Sequence, residues 1–418
     1  VVDAVTPLGW PLLLAPFARG GCLAAFAAAR CLGAAAWLLA AYWLGVQIGS
    51  VGTRPQRFVA LPVLVCCAPL AAWAGAGMET GVVTALCTVA LARSSAAVVA
   101  AGLAAAWRPE LLPWAVVLCA GGALERHRSL RCVAAYAALA AAPAALAAAI
   151  RAVVFGTPAP LAVLAKPSDL RHGLWYVAAA LVWTGAPVLA LGPWALRRVP
   201  RRYVAVAAAS VAHCCAVALA GGDWMSLFRL MVPALPGLLL LGAATAEHAS
   251  AAATAVRTLL AVTLSVVLAV DLGPQARSVW PSRIELITAA RSQLASAQRV
   301  AAVDIGWVGA ATSAHVVDLA GITDPTVALL PGGHTSKRIA PDFLRRRGVD
   351  HVLLLLPPGA ALRQPWYTSR FSYAVEQRIV VQARQLGFEP LSTLKVGSSE
   401  RQYLILRLAD HQQAKRDR

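Results

Sequence analysis

Four short stretches of this chain hold residue types able to work on an anionic substrate. Gly77-Met78-Glu79-Thr80 opens an apolar run, where the positive end of a helix dipole favours the Glu79 carboxylate. Trp107-Arg108-Pro109-Glu110 separates two short apolar runs and leaves an arginine and an acid at membrane depth. Each such charge costs roughly 2.5–3.5 kcal/mol at a helix centre and less near the interface, so it needs a cavity or a partner. Gly221-Gly222-Asp223-Trp224 with Phe228-Arg229 combines two permissive glycines, a carboxylate, an aromatic ring and a guanidinium fork suited to phosphate. The fourth stretch runs from Asp318 through Thr323-Asp324-Pro325 to Gly332-Gly333-His334-Thr335-Ser336-Lys337-Arg338, a polar, Gly-rich loop beside a strand end. Each has a plainer reading. Glu79 can be a helix-start acid, Arg108–Glu110 a buttress, Asp223 an N-cap beside an interfacial Trp224, and the last stretch an ordinary loop.

The elements that must position these residues follow from composition. Of 418 residues 59% are hydrophobic and 13% charged, against about 25% charged in ordinary soluble proteins. That excludes a single soluble globule, an intrinsically disordered chain and a disulfide-stapled mini-domain. Residues 1–274 hold 18 Lys and Arg with eight Asp and Glu, whereas 275–418 hold 19 and 11 in half the length. The chain therefore divides into a transmembrane helical bundle, 1–274, and a water-soluble part, 275–418. Apolar runs predict crossings near 24–47, 57–75, 130–150, 173–194, 203–220, 227–245 and 257–273. Three shorter runs, 78–93, 95–107 and 110–124, predict tilted or broken helices, for about ten crossings in all. The proline-bearing run 7–18 suits an interfacial or re-entrant segment. In the soluble part the pattern predicts helices at 282–297, 336–347 and 370–386. Strands are predicted at 299–304, 315–319, 350–356, 388–395 and 401–408, giving a small α/β domain.

Strict alternation places Arg54, Arg57, Arg93, Arg126, Arg128, Arg131, Arg197, Arg198, Arg201, Arg202 and Arg257 on one side. By the positive-inside rule that side is cytoplasmic. Asp3, Glu79, Glu110, Asp169, Asp223 and Asp271 collect on the other, and the C-terminal domain is expected there too, extracytoplasmic on an inner or plasma membrane protein. The net charge of +18 raises nucleic acid as a partner, but no basic stripe with interleaved aromatics occurs, so none is expected. All nine cysteines precede residue 275 and none has zinc-like spacing with His; they read as small helix packers. No P-loop, GxGxxG, HExxH or nucleophile elbow is present.

Taken together, Gly-Met-Glu-Thr at 77–80, Arg-Pro-Glu at 108–110, Gly-Gly-Asp-Trp-Met at 221–225 with Arg229, and Asp-Leu-Ala-Gly-Ile-Thr-Asp-Pro at 318–325 resemble the GT-C superfamily of membrane glycosyltransferases. The resemblance is to the arabinofuranosyltransferase-like subgroup and spans nearly the whole chain. It implies a multi-pass helical bundle with an extracytoplasmic C-terminal domain. It also implies transfer of a sugar from a polyprenyl-phosphate donor to a cell-envelope glycan or lipid acceptor, among membrane lipids.

On that resemblance Arg108 and Arg229 are expected to hold the donor phosphate, and Glu110, Trp224, Asp318, Asp324 and His334 to meet sugar or acceptor. The family's first outer loop carries an acidic motif used as catalytic base. That loop should precede Val2-Asp3-Ala4 and is absent here, so the chain, starting at Val1, reads as a fragment. Asp3, Glu79 and Asp223 are the remaining catalytic candidates. No metal-binding set and no cofactor are called for, although a divalent metal stays open. Two other classes also stay open: a transporter or flippase of lipid-linked sugars, for which broken helices and buried charges are natural, and a non-catalytic envelope scaffold.

Overall fold

The computed structural model describes residues 6–52, 55–92, 94–186, 197–395 and 401–409; Asp3, Arg54 and Arg93 lie outside these, as does the end of the 173–194 run. The chain forms two compact units. One comprises Pro7–Pro158 and Ser168–Ala276. The other comprises, of the described residues, those from Arg277 onward together with Ala159–Pro167 and Thr6.

The first unit is helical: α1 Gly9–Ala18, α2 Cys22–Gly49, α3 Ala60–Cys66, α4 Ala68–Ala74, α5 Thr80–Ala90, α6 Ser95–Trp107, α7 Leu112–His127 and α8 Leu130–Phe155. After α9, Leu161–Leu164, which belongs to the second unit, it continues with α10 Leu170–Trp183, α11 Arg201–Leu219 and α12 Leu235–Ala246. The 43-residue α13, Ala251–Gln293, follows and runs on into the second unit. Four described helices, α2, α8, α11 and α13, are long and apolar enough to cross a membrane. Counting the 310 turn before α3, the segments Pro55–Cys66 and Ala68–Ala74 make a fifth span if taken as one, bent by 52° at Cys67. Pro69 at the start of α4 supplies the physical cause, since it has no amide to continue the helix. Four more apolar helices, Gly9–Ala18, Thr80–Ala90, Ser95–Trp107 and Val232–Ala246, are shorter than a span. The run 227–245, read from sequence as one crossing, is helical only from Val232, because 223–231 form an irregular loop.

Small residues let the helices meet backbone to backbone. A Cβ on Gly81 would lie 2.5 Å from the Gly33 carbonyl oxygen, so α2 and α5 cross where neither residue has a side chain. Gly173 does the same for α10 on α11, with the Ala218 oxygen 2.1 Å from its would-be Cβ. Hydroxyls inside the helices are satisfied locally: Thr84 donates to the Thr80 carbonyl, Thr88 to Thr84 and Ser210 to Val206.

The second unit is a five-stranded sheet, β1 Arg299–Ala302, β2 His315–Asp318, β3 His351–Leu356, β4 Phe388–Lys395 and β5 Gln402–Leu408, in the order β2-β1-β3-β5-β4. The β1, β2 and β3 strands run parallel, while β5 pairs antiparallel with both β3 and β4. All six residues of β3 are buried, as a central strand covered on both faces requires. Val352, Leu354 and Leu356 face one core with Ile379 and Ala383 of the helix Ala374–Gln385. Leu353 and Leu355 face the other, with Leu286 and Ala290 of α13 and Trp307 of the helix Ile305–Ala311. The helix expected at 336–347 is reduced to one turn, Phe343–Arg346. Pro341 and the buried Lys337 hold the preceding residues as a loop; the Lys337 ammonium donates to the carbonyls of Ala328 and Leu330 at 2.7 and 3.0 Å. Leu161 and Ala165, from the far-off segment 159–167, pack on Ala328.

Candidate functional site

The α6–α7 junction builds the centre of the site. Pro109 prevents α6 from continuing, so the chain turns at Arg108 and restarts through a short 310 turn into α7. The Arg108 side chain then lies inside the bundle, 3% exposed. Its Nε is 2.8 Å from Glu79 Oε1, its Nη1 is 3.1 Å from Glu110 Oε1, and its Nη2 donates to the Thr80 hydroxyl at 2.8 Å. Each guanidinium nitrogen thus faces a protein oxygen, and two carboxylates share one cation.

A second pair comes from the loop between α11 and α12. Gly221 and Gly222 both have positive φ, 87° and 71°. A Cβ at Gly221 would meet the Asp169 amide nitrogen at 2.6 Å, and one at Gly222 the Tyr176 Cβ at 2.8 Å, so only glycine brings this loop against α10. Leu227 and Phe228 also have positive φ, a strained stretch that turns Arg229 inward. Arg229 Nη2 lies 2.7 Å from Asp223 Oδ2, and Nη1 reaches Met78 Sδ at 3.5 Å. The guanidinium also sits 5.9 Å from the Trp73 ring, and the Trp73 indole donates to the Leu227 carbonyl at 2.8 Å. Arg229 Nε is buried with no hydrogen-bond acceptor among the described residues, and the same holds for Arg108 Nε, whose contact with Glu79 is an ion pair without hydrogen-bond geometry.

The two pairs are neighbours. Met78, which touches Arg229, immediately precedes Glu79, and the Asp223 charge bears on Arg108 after those of Glu79 and Glu110. The fully buried His213 of α11 ties the loops together, with Nδ1 3.2 Å from the Glu110 carbonyl oxygen and Nε2 2.8 Å from that of Leu230. Tyr176 adds a third tie, its hydroxyl accepting the Leu230 amide at 3.1 Å. Glu79, Arg108, Glu110, Asp223 and Arg229, from segments up to 150 residues apart, therefore meet at one end of the helical unit with two cations and three carboxylates. Sequence reasoning did not single out Tyr176 or His213, and it quoted Thr80 in the 77–80 stretch without giving it a role. A lone histidine inside the apolar run 203–220 was the available signal.

The remaining expected residues lie elsewhere. Trp224 is 59% exposed, although its amide donates to Asp223 Oδ1. Asp318, Asp324 and His334 belong to the second unit. There Asp318 is buried and accepts from the amides of Ala320, Gly321 and Thr323 and from the Thr323 hydroxyl, which knits its own turn together. Asp324 caps the turn Pro325–Ala328 and pairs with Arg347 at 2.8 Å. The loop carrying His334 is anchored by Lys337 and by Arg378, whose Nη1 donates to the carbonyls of Ser336 and Lys337.

In the sheet, the crevice between the carboxyl ends of β1 and β3 is where doubly wound folds bind ligands. Here β1 pairs with β3 only as far as Val352, and residues 372–376 fill the space beyond. Ser372 donates its amide to the Leu355 carbonyl at 2.7 Å, and Glu376 accepts the amides of Leu355 and Tyr373 at 2.8 and 2.9 Å. Burial pushes the Glu376 carboxyl up to about 8, although those two amides and the nearby Asp304 act on it in opposite senses.

No group of three or more His, Cys, Asp or Glu side chains able to hold a metal occurs among the described residues. A family model described as a domain of unknown function (DUF8728) matches residues 275–403, under half of the chain and almost wholly within the second unit. No curated protein matches this sequence. No solved structure matches it either.

Proposed function

We propose that the chain is a multi-pass membrane glycosyltransferase that moves a sugar from a polyprenyl-phosphate donor to an envelope glycan or lipid acceptor. In this reading the short helices complete the roughly ten crossings that the apolar runs suggest, and the second unit is extracytoplasmic. The observation that carries the reading is the buried cluster of Arg108 and Arg229 with Glu79, Glu110 and Asp223. Sugar transfer from a lipid phosphate needs a cation where the phosphate departs and a carboxylate where the acceptor hydroxyl loses its proton. The acceptor oxygen attacks the anomeric carbon, its proton passes to the carboxylate, and the electron pair of the breaking bond leaves with the phosphate.

Within the cluster the two arginines have different parts. Arg108 is paired with two carboxylates, Glu79 and Glu110, and hydrogen-bonded to Thr80, so it positions the acids. Arg229 is paired with one carboxylate, Asp223, and has a soft contact to Met78 that a phosphate oxygen can replace, so it is the donor-phosphate contact. Asp223, held by Arg229 and by the Trp224 amide, orients that arginine.

Arg229→Lys is the test, because a lysine keeps the charge and loses the fork. Transfer from a synthetic lipid-phosphate sugar, at matched membrane abundance, is expected to fall by ~10–100-fold, the loss of one charge-assisted contact of roughly 1.5–3 kcal/mol. Wild-type rates in the variant would remove Arg229 from the site. Sidedness is tested separately, with single cysteines placed at Ser226 and Arg201 after the nine native cysteines are replaced. Only Ser226→Cys should label from outside the cell, and equal outside labelling of the two would sink the topology.

A further inference from the structure

At the opposite end of the helical unit from the buried cluster, where α2, α5 and α7 end and α6 and α11 begin, a cleft of about 320 Å³ opens between the helices. Its walls are apolar and aromatic, with Trp43, Val98, Leu118 and Tyr136 among them, and its rim carries Arg126 and Arg202. Arg202 is stacked 4.4 Å over the Tyr203 ring, donates to the Tyr203 hydroxyl and keeps a buried Nε with no acceptor among the described residues. Arg126 is exposed and has no partner among the described residues.

The charge around this rim is one-sided. Glu125 lines the cleft with Arg126 and Arg202, so the lining carries two cations and one acid, and the adjoining sequence, 128–131 and 197–201, adds five arginines and no acid. A wholly apolar ligand would leave these cations unused, and a small free anion would leave the aromatic wall unused. An amphiphile with an anionic head uses both. Basic pockets between helices at the arginine-rich face of a membrane protein are where anionic headgroups bind.

We propose that this cleft is a binding site for an anionic phospholipid of the surrounding bilayer, its phosphate held between Arg126 and Arg202 and one acyl chain laid along Trp43, Val98, Leu118 and Tyr136. The inference rests on the membrane reading of the helices and not on sugar transfer, and its test reads bound lipid alone.

Gly122 supplies a steric probe. It lines the cleft, and a Cβ built on it meets nothing within 4 Å, so Gly122→Leu puts its side chain into open space. The full chain, purified in mild detergent, is given phosphatidylglycerol or phosphatidylcholine with matched acyl chains, and retained lipid is counted by native mass spectrometry. At least a fivefold preference for phosphatidylglycerol is expected. It should disappear in the Arg126→Gln/Arg202→Gln double variant, while Gly122→Leu should lose most of the bound lipid with its melting temperature kept. Equal retention of the two lipids, or wild-type retention in the arginine double variant or in a folded Gly122→Leu, overturns the proposal. Displacement of the lipid by millimolar inorganic phosphate would reduce the site to one for a free anion and overturn it as well. Should Gly122→Leu not fold, the lipid preference and the arginine variant decide between the outcomes.

Discussion

Replacing Arg108 by methionine keeps the length of the side chain and removes its charge. Two carboxylates would then share a buried space without a cation: Glu79 2.8 Å and Glu110 3.1 Å from where the guanidinium had been, with side chains 6% and 14% exposed. Removing one member of a buried pair costs about 3–5 kcal/mol, because the remaining charge has lost both water and partner. An exposed pair gives the contrast. Arg346 and Asp342, spaced i,i+4 with side chains 62% and 40% exposed, are 2.8 Å apart, yet a pair of this kind contributes only ~0.3–0.5 kcal/mol. Arg108→Met should therefore destabilise the helical unit by about 3–5 kcal/mol, and Arg346→Met should be nearly silent. Adding Glu79→Gln and Glu110→Gln to Arg108→Met should recover most of the loss, since no unpaired charge then remains. Reversible unfolding in mixed micelles of increasing SDS fraction measures all three variants on one scale. A loss below ~1 kcal/mol for Arg108→Met, or a triple variant no more stable than the single one, would show that the guanidinium does not hold these acids in the folded protein.

Three other outcomes follow from the same physics. Glu376 has its pKa raised by burial to about 8 from an ordinary 4.5, so its contribution is fully present below pH ~4.5 and is lost as the pH rises toward 8. Hydrogen exchange at the Leu355 and Tyr373 amides in the full chain should quicken beyond the ordinary base-catalysed trend between pH 5 and 8, by an equivalent of about 3–4 kcal/mol. Glu376→Gln should abolish that excess, and an unchanged excess refutes the assignment. Gly221→Ala should cost at least ~1–2 kcal/mol from its positive φ alone, with the Asp169 backbone clash added, and under the proposed function should lower sugar transfer by displacing the Asp223–Arg229 loop. Gly122→Ala, inside a helix with open space beside it, should instead be neutral or stabilising by up to ~1 kcal/mol; equal losses in the two variants, read from the same unfolding curves, would contradict the difference in their surroundings.

Sequence and structure divide the account along physical lines. The five strands were legible because the β-branched and leucine-rich runs at 299–304, 315–319, 350–356, 388–395 and 401–408 have few other uses, and only their ends shifted, by a residue or two. The long apolar helices were legible for the same reason: a run such as 24–47, with one charge in 24 residues, has little alternative to a buried or lipid-facing helix. Where short-range pattern competed with tertiary packing, the pattern misled. The periodicity of 336–347 gave way to a loop because Lys337 finds two carbonyls only if the backbone around it is irregular. The run 227–245 begins as a loop because Leu227 and Phe228 adopt positive φ to bring Arg229 against Asp223.

The site shows the same division. Residue types and spacing were enough to mark Glu79, Arg108, Glu110, Asp223 and Arg229, since charges in apolar surroundings are costly unless they meet. Which charge meets which was not in the sequence. Arg108 could have paired with Glu110 alone, two residues away; it also takes Glu79 and Thr80, because α5 and α6 pack side by side with the Thr80 end of one beside the Arg108 end of the other. His213 could not be foreseen as the tie between two loops, for its partners are backbone carbonyls and carry no sequence signature. The sequence determined where apolar surface must be covered and where charge must find a partner, because those costs belong to each residue by itself. Only the tertiary structure decided the partners, because a contact between Glu79 and Arg108, or between Met78 and Arg229, depends on helix crossings set by small residues far from either.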